Sequence, residues 1–269
     1  QEKVLATSAI ARMNLLLHGV EDFKIAREDT LRNAAFYTGN RLAQFDCVVA
    51  NPPFSLKNWG EPEWGSDKWG RNQLGGEPPK GNADWAGVQH MLTSAHPTTG
   101  RVAVVLPQGA LFRQGAEARI RRHILKSDVV DAVIGLAPNL FYGTGLAACA
   151  LILRLAKQPD EKNKVLFING EDLFKRGRNQ NTLEPEHAEA ILDAYELYSD
   201  AAGRSRVVDL FEIEANDFNL NIPLYVAPTD DGEKPTLAEA LAGLEAAHAA
   251  ATKTRAALEA ELAKWGLSA

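Results

Sequence analysis

Ten residues constrain this chain most: Phe45-Asp46-Cys47-Val48-Val49-Ala50-Asn51-Pro52-Pro53-Phe54. The apolar run Cys47–Ala50 reads as a strand buried on both faces, and the Pro-Pro pair ends it. Asn51 then falls at the carboxyl end of a central strand, the place where open α/β sheets hold ligands. Each proline fixes its own φ and drives the residue before it towards extended geometry. The Asn51 side chain and the Pro52 carbonyl are thus expected to be held rigidly, with the Phe54 ring just beyond.

A planar amino group on a ring offers two N–H donors. One side-chain amide oxygen and one backbone carbonyl can accept both. Such contacts turn the nitrogen lone pair outward, towards attack on a methyl sulfonium. No strong base is required, because the proton can leave after methyl transfer. An aromatic ring at 54 suits a base extruded from a duplex and stacked in a pocket.

Charge limits what the chain does alone. A formal net charge of −6 over 269 residues argues against strong autonomous DNA binding, since backbone affinity comes from neutralising phosphates. Arg113, Arg119, Arg121, Arg122 and Lys126 are spread around one expected helix and read as a solvated face. Lys175, Arg176 and Arg178 read as a solvated basic loop. Cys47 and Cys149 both fall in apolar runs and are expected to be buried thiols of a reducing cytosol. No histidine spacing suits zinc, so no metal is assigned. No stretch is long and apolar enough to span a bilayer, and no signal peptide is apparent.

Taken in order, residues 3 to 18 read as a helix with Val4, Ile10, Met13 and Leu17 on its apolar side. Phe23–Ala26 reads as a short strand leading to Asp29. Residues 55–82 form a long polar loop carrying Trp59, Trp64 and Trp69 beside Lys57, Lys68 and Arg71. Two roles are open for it: stacking on unpaired bases, or a surface lid whose tryptophans pack inward. Helix 83–95, strand 101–106, helix 115–125 and strand 129–136 follow. Phe141-Tyr142-Gly143-Thr144-Gly145 is a tight turn before strand 146–154, and its aromatic pair is a candidate second wall opposite Phe54. Strands 129–136 and 146–154 read as the terminal antiparallel pair of a four-stranded run. Strand 165–168, helix 184–199 and strand 206–213 come next. From Pro235 the chain reads as one long helix capped by Thr236. Leu237, Leu241, Leu244, Ala251, Leu258, Leu262 and Trp265 form its seam, interrupted by His248 and Arg255. About thirty helical residues extend roughly 45 Å.

Several segments together resemble a known family: Gln1-Glu2, Ala11–Leu15, Asp29-Thr30-Leu31, Phe45–Phe54, Gln89–Leu92, Gly100–Pro107 and Asn139–Tyr142. They look like the catalytic region of the modification subunit of type I restriction–modification systems, which makes N6-methyladenine with S-adenosylmethionine. The resemblance implies an α/β fold, a Rossmann-like S-adenosylmethionine-dependent methyltransferase sheet with a long C-terminal helix. It implies catalysis by Asn51, Pro52, Pro53 and Phe54, and base stacking by Phe54 with Phe141 or Tyr142. Glu2 would contact the cofactor ribose, Asp29 its adenine amine, and Asn51 borders the cofactor as well.

Implied partners are double-stranded DNA with a flipped adenine, a DNA-specificity subunit docked on the C-terminal helix, and a restriction subunit, in a prokaryotic cytoplasm. The family's glycine-rich cofactor loop has no counterpart here. The chain is therefore expected to be a carboxyl-terminal portion, lacking the first strands and binding the cofactor weakly by itself. Its expected parts are a catalytic domain over 1–156, an accessory α/β segment over 157–234 and an association helix over 235–269. A glutamine-amide methyltransferase acting on protein, or a non-catalytic assembly scaffold, are the competing readings.

Overall fold

The computed structural model describes residues 1–227 and 236–265. The chain divides into two units, Gln1–Pro228 and Thr229–Ala269. In the first, helix α1 (Leu5–Leu17) precedes a two-stranded ribbon, β1 (Tyr37–Thr38) with β2 (Arg41–Leu42). Strand β3 (Cys47–Ala50) follows. After it come the short helix α2 (Glu61–Trp64), α3 (Asp84–Thr93), β4 (Arg101–Pro107), α4 (Ala116–Lys126), β5 (Val130–Leu136) and β6 (Ala148–Arg154). Strand β7 (Lys164–Gly170), α5 (Pro185–Leu197), β8 (Ser205–Asp209) and α6 (Leu210–Ala215) complete the first unit.

Six strands form one mixed sheet in the order β3-β4-β6-β5-β7-β8. β3 runs parallel to β4, β6 lies antiparallel between β4 and β5, and β7 returns parallel to β5 before β8 reverses beside it. The antiparallel pairing of β5 with β6 agrees with the sequence reading, but that pair does not end the sheet. β7 and β8 extend it, because the polar stretch after residue 156 turns back at once and places another apolar run, Val165–Ile168, against β5.

Helices cover both faces. On one, Trp85, Val88 and Met91 of α3 and Ile120, Ile124 and Leu125 of α4 pack on Val102, Val104, Val133 and Leu151. On the other, Ile191, Ala194 and Tyr195 of α5 pack on Ala132, Ile134, Leu166 and Ile168. Alternate residues along each strand serve opposite faces, so β5 is buried along nearly its whole length.

The Asn216–Tyr225 segment closes the first of these cores. Phe218, Leu220 and Ile222 are buried in it, and the Tyr225 ring stacks on Phe167 at 4.2 Å between centroids. Arg121 of α4 is fully buried beneath the segment, its Nε donating to Phe218 O at 2.7 Å. Burial lowers its pKa to about 10. Arg121 is thus a structural clamp and not part of a solvated basic face.

Four further expectations change. β3 is the edge of the sheet, so only Val48 and Ala50 pack on the core; Val49 is 71% exposed and Cys47 is exposed. Cys149, fully enclosed, matches the reading, and burial pushes its thiol up to about 12. Phe23–Ala26 has no regular structure and joins no sheet; its carbonyls take Glu2 N–H and the Arg12 guanidinium. Residues 210–213, read as strand, are helical in α6: apolar Leu210 and Ile213 sit three apart, the spacing of one helical face. The apolar side of α1 is turned outward, with Ile10, Met13 and Leu17 all exposed.

The second unit contains the helix α7 (Leu237–Lys264). Thr236 caps it as expected: its Oγ1 accepts Glu239 N–H, while the Glu239 carboxylate accepts Thr236 N–H. Leu237, Leu241, Leu244, Leu258 and Trp265 of the seam are exposed. The expected start at Pro235 lies outside the described residues.

Candidate functional site

β3 delivers Asn51 to its carboxyl end as the sequence requires, and the residue is exposed. Among the described residues, neither the Asn51 amide nor the Pro52 carbonyl has a hydrogen-bond partner. Two acceptors are therefore free at the tip of the strand, on a backbone stiffened by two prolines.

What holds this tip lies one residue further on. Ser55 has φ 52°, a left-handed conformation uncommon for a residue with a side chain. Its N–H donates to Asp84 Oδ1 at 2.7 Å. Asp84 begins α3, where the Asn82 side chain accepts its N–H at 2.9 Å. Its other oxygen accepts Arg113 Nη1 at 2.9 Å, and Arg113 Nη2 reaches Ser55 Oγ at 3.3 Å. The Asp84 side chain is 1% exposed, so these are charge-assisted bonds in a poorly solvated place. Glu117 also faces Arg113, at 3.5 Å. Burial raises its pKa, and the Arg113 charge opposes that rise. Asp84 and Ser55 are not marked by the sequence, and Arg113, read there as part of a solvated basic face, is instead tied to the buried Asp84 carboxylate. Only an Asn-x-Asp turn ahead of α3 hinted at Asp84, and nothing local ties it to Arg113.

Phe54 is half-buried, and its ring meets Phe141 edge to face, centroids 5.9 Å apart at 71°. Tyr142, beside it, is 93% exposed and takes no part in this contact. A base sandwiched between two rings needs about 7 Å, twice a van der Waals contact. The pair therefore touches with no slot between, and a base could enter only if Phe141 swung back and turned parallel.

Glu2 and Asp29 are drawn near one another, on adjoining stretches of chain. Glu2 N donates to Ala26 O, and Lys3 bridges to Asp29 at 2.9 Å. Glu2 Oε1 accepts Val4 N–H at 2.7 Å, ahead of α1. Asp29 Oδ1 accepts Leu31 and Arg32 N–H, and its Oδ2 faces Lys3. Partial burial alone would raise the Asp29 pKa, but the Lys3 and backbone hydrogen bonds outweigh it and lower the value. Neither carboxylate is bonded to the Asn51–Phe54 segment. As a cofactor site the donor set fits in part: among the described residues Asn51 is free and Glu2 keeps one oxygen unpaired, whereas both Asp29 oxygens are engaged and Lys3 would have to release one.

The tryptophans of residues 55–82 pack inward. Trp59 and Trp64 are buried edge to face at 5.1 Å. Trp64 Nε1 donates to Gln89 Oε1 at 3.0 Å, and Trp69 lies against Tyr37 at 4.6 Å. Arg71 is buried with them, bound to Asp67 at 2.7 Å and to the carbonyls of Thr30 and Leu31. This leaves none of the three indoles free to stack on a base. Burial, followed by the Arg71 charge, lowers the pKa of neighbouring His90 to about 4. No cluster of metal-ligating side chains occurs among the described residues.

Residues 1–234 match the family described as N-6 DNA Methylase. The chain is 40% identical over 243 residues to the type I restriction enzyme MjaVII methylase subunit of Methanocaldococcus jannaschii, covering 87% of this chain and 41% of that protein. It is 31% identical over 244 residues to the MpnII methylase subunit of Mycoplasma pneumoniae, with 88% and 44% covered. The structure of a type I restriction-modification system methyltransferase subunit from Streptococcus thermophilus superposes with a TM-score of 0.78 at 35% identity, over 85% of this chain and 48% of that one. The chain thus spans less than half the length of each of these relatives.

Proposed function

The chain belongs to the N-6 DNA methylase family, with type I restriction–modification methylase subunits as its relatives, and from that premise we propose that it carries the amine-accepting half of an adenine-N6 methylation site. The observation that supports this best is the pair of unpartnered acceptors, Asn51 side chain and Pro52 carbonyl, at the end of β3 with the loop behind them tied to Asp84.

An adenine swung out of the duplex would donate one amine N–H to the Asn51 amide oxygen and the other to the Pro52 carbonyl. Both acceptors are neutral, so the amine is held without being deprotonated. Its nitrogen lone pair is aimed away from them, and the extra proton passes to water once the nitrogen has become alkylated. Phe54 would stack on the base, with Phe141 the better-placed opposite wall because it is the ring already in contact. S-adenosylmethionine supplies the methyl group as a sulfonium electrophile. Glu2 would hold it through its second carboxylate oxygen, Asn51 would border it, and Asp29 would join them on parting from Lys3.

Residues 1–156 would serve catalysis, and 157–234 would extend the sheet and shape the target-base side of the site. The exposed seam of α7 would dock on a helix of a DNA-specificity subunit. Asn51→Ala in the assembled methyltransferase should lower methyl transfer to adenine by about 10²–10³-fold or more, the scale of losing one preorganised polar contact to the reacting group. DNA binding should persist. Unchanged methyl transfer would overturn the assignment.

A further inference from the structure

A second element is fastened to the aromatic loop. Residues 175–182 form a tight hairpin, closed by Lys175 N to Thr182 O at 2.9 Å and Thr182 N to Lys175 O at 3.0 Å. Gly177 stands at its tip, where a Cβ would lie 2.0 Å from Gln180 O, so only glycine permits the turn. The returning arm is joined to the residues just before Phe141 by four hydrogen bonds. Asn181 N donates to Asn139 O, Asn181 Nδ2 to Pro138 O, Asn139 Nδ2 to Asn179 O, and Gln180 Nε2 to Leu140 O, all between 2.6 and 3.1 Å. A groove of about 490 Å³ runs along this seam, walled by Leu136, Leu140, Phe141 and Leu183.

The hairpin tip carries Arg176 and Arg178, both exposed. Neither has a salt bridge or hydrogen bond among the described residues. Arg71, Arg113, Arg154, Arg204 and Arg206, by contrast, are each paired with a carboxylate. Neighbouring acids are already engaged, Glu171 by Gln108, Asp172 by Arg204 and Glu184 by Lys175. Two guanidinium groups on a hydrogen-bonded support thus remain uncompensated among the described residues, in a protein of net charge −6. Arg178 is two residues from Gln180, about 7 Å of chain, and Gln180 touches the residue before Phe141.

We propose that Arg176 and Arg178 bind the phosphate backbone of DNA next to the extruded adenine, setting the duplex against the Phe54–Phe141 pair. The inference rests on the proposed function and adds the anchor it lacks, since an acidic protein needs a local cationic foothold to hold a duplex. Phosphate contacts position without reading sequence. The Phe141 loop and the hairpin are one hydrogen-bonded piece, so DNA seated on the arginines would bear directly on the ring that must move to admit a base.

The test measures binding of fluorescent duplexes, with and without the target sequence, by the assembled methyltransferase across a salt series. Arg176→Ala/Arg178→Ala should flatten the slope of log affinity against log salt by about two, one per lost phosphate contact, and weaken both duplexes equally. Arg176→Lys/Arg178→Lys should restore most of the slope. A wild-type slope in the alanine pair, a loss confined to the target duplex, or a lysine pair as impaired as the alanine pair would overturn the proposal. The site reading fails separately, if Asn51→Ala still methylates.

Discussion

Removing the Asp84 carboxylate should loosen the reactive tip from behind. Asp84→Ala deletes the acceptor of Ser55 N–H and of Arg113 Nη1 at one stroke, in a place where the side chain is 1% exposed. Charge-assisted bonds of this kind contribute roughly 1.5–3 kcal/mol each, and breaking one side of a buried pair costs about 3–5 kcal/mol. Arg113 is 34% exposed, so water recovers part of its solvation and the loss should settle at about 2–4 kcal/mol. For a unit of this size that corresponds to roughly 4–16 °C in melting temperature.

Asp84→Asn keeps an oxygen for Ser55 N–H and the same volume, and should lose about half as much. A double-mutant cycle with Arg113→Ala should show coupling of about 1–3 kcal/mol. Denaturant unfolding gives the energies; methyl transfer by the assembled enzyme gives the consequence, a fall approaching 10²-fold if the Asn51 acceptors drift by about 1 Å. A stability loss below about 1 kcal/mol for Asp84→Ala, or no coupling to Arg113, would refute the reasoning.

Trp64→Ala should cost about 3–5 kcal/mol by leaving a cavity and an unpaired Gln89 oxygen, read from the denaturation midpoint. His90 is held uncharged by burial, its pKa lowered from 6.5 to about 4. Its contribution is complete above pH 6.5 and is lost as pH falls towards 4, on the order of 3 kcal/mol at most; His90→Gln should flatten that part of the stability–pH curve. Leu241→Lys with Leu258→Lys should abolish co-purification with a partner subunit while leaving the unfolding of residues 1–227 unchanged, since both side chains are exposed.

The local pattern carried much of this protein. Apolar run, Asn and Pro-Pro specify a strand that stops with an amide at its tip, because periodicity and proline stereochemistry act within a few residues. Helices α3, α4 and α5, the Thr236 cap and the antiparallel β5–β6 pair were legible for the same reason. What lay beyond reach depended on neighbours distant along the chain. Whether Cys47 and Val49 are enclosed is a matter of β3 being an edge strand. Arg121 reads as a surface charge until the Asn216–Tyr225 segment closes over it, and an indole in a polar loop reads the same whether it packs inward or faces solvent. Phe141 and Tyr142 are equivalent in the sequence; the fold turns one to Phe54 and the other to water. The Ser55–Asp84–Arg113 tie spans 58 residues, and the hairpin reaches the aromatic loop across about 40. Such bonds need the sheet assembled first, which is why chemistry could be read from ten residues while its support could not.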